Sequence, residues 1–163
     1  MTTNSLGKFS KWSITYLCTM LRIAIINGPN LNLVGIREPG IYGSRTMESL
    51  IQDLIAAFPS MEITYRQSNV EGELINFIQE FGFDYDGIIL NPGGYTHTSV
   101  AIADAVAAIK APVIEVHISN IKSREEQRHI SLISKHCLGM ISGLGLEGYE
   151  LALDWFEKKA LKK

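Results

Sequence analysis

From Leu21 onward the apolar positions switch regularly between two patterns: short, nearly continuous runs, and longer stretches with apolar residues three or four apart. Leu21–Asn27 is the first run, and it ends in Asn-Gly-Pro-Asn, a buried strand passing into a loop. That loop, rich in Gly, Pro and Asn, extends to about Arg45. Met47, Leu50, Ile51, Leu54, Ile55 and Phe58 then recur at helical spacing, with Thr46 as N-cap and Pro59 as the stop. Residues 62–67 alternate Ile63 and Tyr65 with polar neighbours, as a half-buried strand does. Val70, Leu74, Phe77, Ile78 and Phe81 predict a second helix, and 87–90 a third strand running into Asn-Pro-Gly-Gly. An Ala-rich helix is predicted over 98–110 and a fourth strand over 112–118. Ser123 and Glu126 have capping-box spacing and predict a short helix. Gly139–Ser142 is a fifth strand, and Leu146, Tyr149, Leu153, Phe156 and Ala160 line a final helix whose Lys-rich end suits the dipole.

Five strands alternating with helices imply an α/β fold: a parallel sheet covered on both faces, with right-handed crossovers. At this length a flavodoxin-like, three-layer arrangement is the natural expectation, with ligands bound beyond the carboxyl ends of the strands.

Composition changes this picture little. The 163 residues suit one domain, with 46% hydrophobic and 20% charged residues. A net charge of −2 argues against a nucleic-acid or anionic-membrane partner. Cys18 and Cys137 are too few and too far apart for a disulfide framework, which fits a reducing, cytoplasmic setting. Residues 1–20 stand apart from the pattern. Their short apolar run suits neither a signal peptide nor a membrane span, so they are expected to be a leader, non-native or disordered, ahead of one domain over 21–163.

The strand-to-helix loops collect the polar residues. Asn27, Asn30, Arg37, Tyr42 and Arg45 follow the first strand, Asn91, Thr96 and His97 the third, and His117, Ser119 and Asn120 the fourth. All three loops open on one edge of the sheet, where these groups can outline a small polar pocket for a hydroxylated anion. Glu115 and His117, two apart on a strand, project on the same face. A carboxylate beside an imidazole fixes its tautomer and suits it to general-acid work.

Several of these blocks together resemble a known family. Asn-Gly-Pro-Asn-Leu-Asn-Leu at 27–33, Arg-Glu-Pro-Gly-Ile-Tyr-Gly at 37–43, Asn-Pro-Gly-Gly-Tyr-Thr-His-Thr-Ser at 91–99, Glu-Val-His-Ile-Ser-Asn at 115–120 and Gly-Leu-Gly-Leu-Glu-Gly-Tyr at 143–149 resemble the signature motifs of the type II 3-dehydroquinate dehydratases. The similarity runs from about Leu21 to the final helix. It implies a lyase of the shikimate pathway, acting in aromatic amino acid biosynthesis, that dehydrates 3-dehydroquinate to 3-dehydroshikimate by trans elimination through an enolate, with no cofactor or metal. By resemblance Tyr42 is the proton acceptor, His117 the proton donor oriented by Glu115, and Asn30 a binder of the enolate oxygen. Asn91, His97 and Arg128 would bind hydroxyl groups, and Ile118 and Ser119 the carboxylate. Asp104 would reach a neighbouring subunit's site in a trimer, four trimers forming a homododecamer.

The tyrosine base sets an energetic requirement. An unperturbed phenol ionises near 10, so working near neutrality takes roughly 4 kcal/mol of preferential phenolate stabilisation. Arg37 on the same loop is the direct means of supplying it, with Arg45 adding to the field. The sequence departs from the family pattern at Gln127 and Leu132, where aromatics are commoner, and at His129-Ile130.

Two other readings are weighed. Schiff-base dehydration needs a lysine desolvated on an apolar element, and Lys110, Lys122 and Lys135 all sit in polar or terminal positions. A non-catalytic flavodoxin-like binding module is the alternative from a different class. A receiver version would want carboxylates where this chain has Asn27, and a phosphate cradle would want a short Gly/Ser turn leading straight into a helix. The histidines lack metal-binding spacing.

Overall fold

Ile23, Ala24, Ile25 and Ile26 are all fully buried, so β1 (Leu21–Asn27) has no solvent face and must lie inside a sheet covered on both sides. The same holds for β3 (Gly87–Asn91) and β4 (Val113–His117), in which every residue is buried. In the computed structural model, which describes residues 20–36 and 45–161, β2 (Met61–Gln67) and β5 (Gly139–Ser142) take the edges. Their partial exposure follows from that position. The order is β2-β1-β3-β4-β5, all pairs parallel, which is the flavodoxin-like order.

Alternation along the strands divides the core in two. Ile23, Ile25, Ile89, Ile114 and Val116 face α1 (Met47–Ala57) and α4 (Glu147–Ala160), packing with Leu50, Leu54, Tyr149 and Leu153. Ala24, Ile26, Ile88, Leu90 and Val113 face α2 (Glu71–Phe81) and α3 (Val100–Ala108), packing with Leu74, Ile78, Ile102 and Val106. The three-layer expectation is met, and so are the predicted strands to within a residue or two. Thr46 caps α1 as expected, its side chain accepting from the Ser49 N–H at 3.2 Å.

Two expected helices differ. The Ala-rich helix begins at Val100 rather than 98, because 93–97 form a 3₁₀ turn and Ser99 Oγ caps α3 by accepting from the Ile102 N–H at 2.8 Å. The expected capping-box helix is absent. Residues 121–123 and 126–128 are separate 3₁₀ turns, and the Ser123 hydroxyl donates to the Asn120 carbonyl instead of capping. Side-chain-to-backbone bonds replace the helix: Lys122 Nζ donates to the His129 carbonyl at 2.5 Å, and His129 Nε2 donates to the Arg124 carbonyl at 2.9 Å.

Two glycines set close approaches that position the site. Gly28, just past β1, would put a Cβ 2.4 Å from the Pro92 carbonyl oxygen, so the loops after β1 and β3 touch backbone to backbone. The Gly28 N–H donates to the Asn91 carbonyl there at 2.7 Å. Gly87, at the start of β3, lies under the Phe156 ring, where a Cβ would stand 2.2 Å from a ring carbon.

Gly87→Ala is expected to lower unfolding free energy by about 1–3 kcal/mol through overpacking. In a Phe156→Leu background, which removes the opposing ring, the same substitution should cost less. Urea unfolding of the four proteins checks this, and equal penalties in both backgrounds would contradict it.

Candidate active site

β1, β3 and β4 end in Asn27, Asn91 and His117, so three polar side chains stand together at the carboxyl edge of the sheet, around the β1/β3 switch point. A cavity of about 210 Å³ opens there. Leu31, Leu33, Val34 and Ile121 supply apolar wall, while Asn30, Asn91, His97, His117, Ser119, Arg124 and Arg128 bring polar groups to it. A wider open depression of about 490 Å³ adjoins it, shares Asn30, His97 and Arg128, and adds Tyr95 and Gln127.

On the α2/α3 side, Glu115 is wholly buried and its Oε1 lies 2.6 Å from His117 Nε2. A carboxylate only accepts, so Nε2 carries the proton and Nδ1 is the ring nitrogen left for chemistry. The expected same-face pairing is therefore realised. Ser131 donates to the same carboxylate, 2.9 and 3.0 Å from its two oxygens. His97 is fixed the other way round: its Nδ1 donates to the Ile130 carbonyl at 2.7 Å, leaving Nε2. The two imidazoles lie nearly parallel with centroids 6.3 Å apart.

On the α1/α4 side the polar atoms are neutral. The fully buried Tyr149 hydroxyl donates to Asn27 Oδ1 at 2.8 Å and accepts from Asn91 Nδ2 at 2.9 Å. Asn91 Oδ1 accepts the Gly93 N–H at 3.2 Å, which fixes its amide orientation. Burial pushes the Tyr149 phenol well above its ordinary ionisation range, and burial likewise raises that of Tyr65 beside Asn27.

Asn30 has left-handed backbone geometry (φ 68°), and its N–H donates to Asn69 Oδ1 at 3.0 Å. Ile118 and Ser119 follow β4 directly and line the cavity. No backbone carbonyl among the described residues accepts from their N–H groups. Arg124 and Arg128 both reach the cavity, from the two 3₁₀ turns that replace the expected helix. Glu125 Oε2 lies between them, 3.7 Å from Arg124 Nε and 3.0 Å from Arg128 Nε. Its own backbone N–H, then the two guanidiniums, hold its carboxyl below the usual range.

Of the residues singled out from sequence, Asn30, Asn91, His97, His117, Ile118, Ser119 and Arg128 line the cavity, with Glu115 behind His117. Asp104 does not join them; it is exposed on α3. Arg45 turns away to pair with Asp53. Thr96 and Asn27 are buried below the cavity, and Asn120 is taken up in capping the turn at 121–123. Arg37, Tyr42 and the leader residues 1–19 lie outside the described residues. Sequence reasoning passed over Ser131 and Tyr149, whose partners are 16 and 122 positions away and carry no local signal. Among the described residues no three His, Cys or carboxylate side chains group to hold a metal ion, and no helix is long and apolar enough to cross a membrane.

A flavodoxin-like sheet with a carboxylate-paired histidine at the end of its fourth strand, facing a small polar cavity, defines an acid–base α/β protein. The chain belongs to the class II dehydroquinase family, whose profile matches residues 21–157. It is 52% identical over 134 residues to a 3-dehydroquinate dehydratase of an Exiguobacterium species, covering 82% of this chain and 92% of that one. Identity to the 3-dehydroquinate dehydratase of Fusobacterium nucleatum is 52% over 139 residues, covering 82% and 94%. The crystal structure of a type II dehydroquinase from Butyrivibrio crossotus matches with a TM-score of 0.80 and 48% identity, over 84% of this chain and 97% of that one.

Tyr149 generates a pH prediction. The native state keeps a phenol proton that the unfolded chain loses as pH rises through about 10. Stability from this group is thus complete below pH 10 and falls above it, by about 1.4 kcal/mol per pH unit. Tyr149→Phe should cost about 1–3 kcal/mol near neutrality, from the stranded Asn27 and Asn91 amides, yet show a shallower alkaline decline. Urea midpoints measured across the alkaline range test both; parallel curves for the two proteins would refute the assignment.

Proposed function

We propose that this protein is a hydro-lyase that dehydrates 3-dehydroquinate to 3-dehydroshikimate by trans elimination through an enolate. The observation that carries the reading is the buried Glu115–His117 pair facing the cavity, in a chain of the class II dehydroquinase family.

The chemistry has two halves. A base takes the proton beside the ketone, and the electron pair moves onto the carbonyl oxygen as an enolate. The ketone then re-forms as the C1–oxygen bond breaks, and the departing hydroxyl takes a proton and leaves as water. In this reading Tyr42 is the base and Arg37 stabilises its phenolate. His117 delivers the proton from Nδ1 while Nε2 stays on Glu115. Asn30, at the cavity rim, helps hold the enolate oxygen. The N–H groups of Ile118 and Ser119 take the substrate carboxylate, with the Ser119 side chain. Asn91, His97 and Arg128 take the ring hydroxyls. Each of these groups has the donor or acceptor chemistry its role needs, and the cavity is of a size for one small cyclic acid.

The reading extends to assembly and setting. Asp104, exposed on α3, is assigned to a neighbouring subunit's cavity in a trimer, four of which form a dodecamer of this cytoplasmic enzyme. The binding-module alternative has little to stand on: Asn27, where a receiver would need a carboxylate, is committed to Tyr149.

Mixing the protein with 3-dehydroquinate should give rising ultraviolet absorbance from the conjugated product. Tyr42→Phe and His117→Ala should each lower kcat by about 10²–10⁴-fold. A folded parent protein without activity would overturn the function, and full activity in either variant would overturn that residue's role.

A further inference from the structure

Ile130, Ser131 and Leu132 belong to no helix or strand, yet all three are tied to the site. The Ile130 carbonyl accepts from His97 Nδ1 at 2.7 Å, and the Leu132 N–H donates to the Thr96 carbonyl at 2.9 Å. Between them, Ser131 Oγ sits 2.9 and 3.0 Å from the two oxygens of Glu115. The Ser134 N–H donates to that same Oγ at 3.0 Å. A hydroxyl has one proton, and with Ser134 occupying its acceptor side the proton is directed at the carboxylate.

We propose that Ser131 is a positioning residue that acts through Glu115 to hold His117 in its proton-donating orientation. The inference rests on the reading of His117 as the proton donor. Glu115 has no exposed surface, so water cannot supply its missing donors. His117 Nε2–H satisfies one oxygen, and Ser131 spans both, so the hydroxyl fixes the carboxylate plane about its last torsion. Among the described residues, Cys137 also feels this carboxylate, its thiol pushed up to about 12 by burial first and by Glu115 second. It stays neutral and gives its proton to the Ile133 carbonyl, so it offers no substitute donor. His97, the nearest other imidazole, is turned to Ile130. Arg124 and Arg128 line the cavity rather than the carboxylate, and their guanidiniums face Glu125. Without Ser131 the carboxylate keeps one donor, can turn, and pulls harder on the Nε2 proton.

Ser131 does not line the cavity, which separates this role from substrate binding. Ser131→Ala is expected to lower kcat for 3-dehydroquinate by about 10- to 100-fold, the worth of one hydrogen bond to a charge, with KM changed less than about twofold. Ser131→Thr, which keeps the hydroxyl, should recover most of the loss. In a Glu115→Gln background Ser131→Ala should cost less than about twofold more, because the group it acts through has changed. Unchanged kcat in Ser131→Ala, an altered KM with kcat intact, or an equal loss in both backgrounds would each overturn the proposal. If Ser131→Ala does not fold, Ser131→Cys, similar in volume but a weak donor, carries the same comparison. The low-field proton resonance of His117 Nε2–H gives a reading that needs no turnover. It should move in Ser131→Ala, and an unmoved resonance refutes the inference. A parent protein with the resonance but no dehydratase activity would instead overturn the functional reading on which it stands.

Discussion

A parallel sheet covered on both faces leaves its central strands one place to keep polar side chains, the ends. β1, β3 and β4 follow this closely. Apart from Arg22 near the amino end of β1 and Glu115 in the middle of β4, their bodies are Ile, Leu, Val, Ala and Gly, and Asn27, Asn91 and His117 stand at the carboxyl termini. The in-register pairing of Asn27 with Asn91 then places two of these side by side. The cavity is thus a consequence of how the sheet is solvated.

The period-two alternation of strands sorts these polar groups by chemistry. Odd positions of β1 and β3 put Asn27 and Asn91 toward α4, where Tyr149 bridges two amides and no charge is buried. Odd positions of β4 put Glu115 and His117 toward the α2/α3 side, where the buried charge lies. A neutral network with its donors and acceptors paired costs little to bury, whereas an ionised carboxylate costs several kcal/mol unless well donated. The fold therefore confines the costly group to Glu115, where His117 and Ser131 donate to it, and floors the cavity with a neutral, rigid network. Segment 121–134 has too little regular structure to hold itself. It is built from side-chain-to-backbone bonds and from its ties to Thr96, His97 and Glu115.

What could be read from sequence was local. Strands and helices show as two periods, Thr46 caps the helix that starts beside it, and Glu115 with His117 is a two-residue relation on one strand. The short helix at 123–126 failed because Asn120 competes locally, its side chain capping the turn and its carbonyl drawing the Ser123 hydroxyl. Ser131 and Tyr149 were illegible because their partners in the site, Glu115 for one and Asn27 and Asn91 for the other, are distant in sequence: a serine in a polar stretch and a tyrosine on an apolar helix face both look ordinary. Arg45 pairs with Asp53 on the helix that follows, and Asp104 stands exposed on α3.

The Asn27–Tyr149 hydrogen bond joins residues 122 apart, near the two ends of the domain. A chain leaving the ribosome displays its first strand and its asparagine long before the tyrosine exists. The strand β4, which carries Glu115 and His117, is also made before α4. The cavity floor is therefore closed by a helix made after all five described strands, and a nascent chain truncated before α4 would hold the sheet with an unlatched pocket. The pocket takes its final shape only when that one late helix docks.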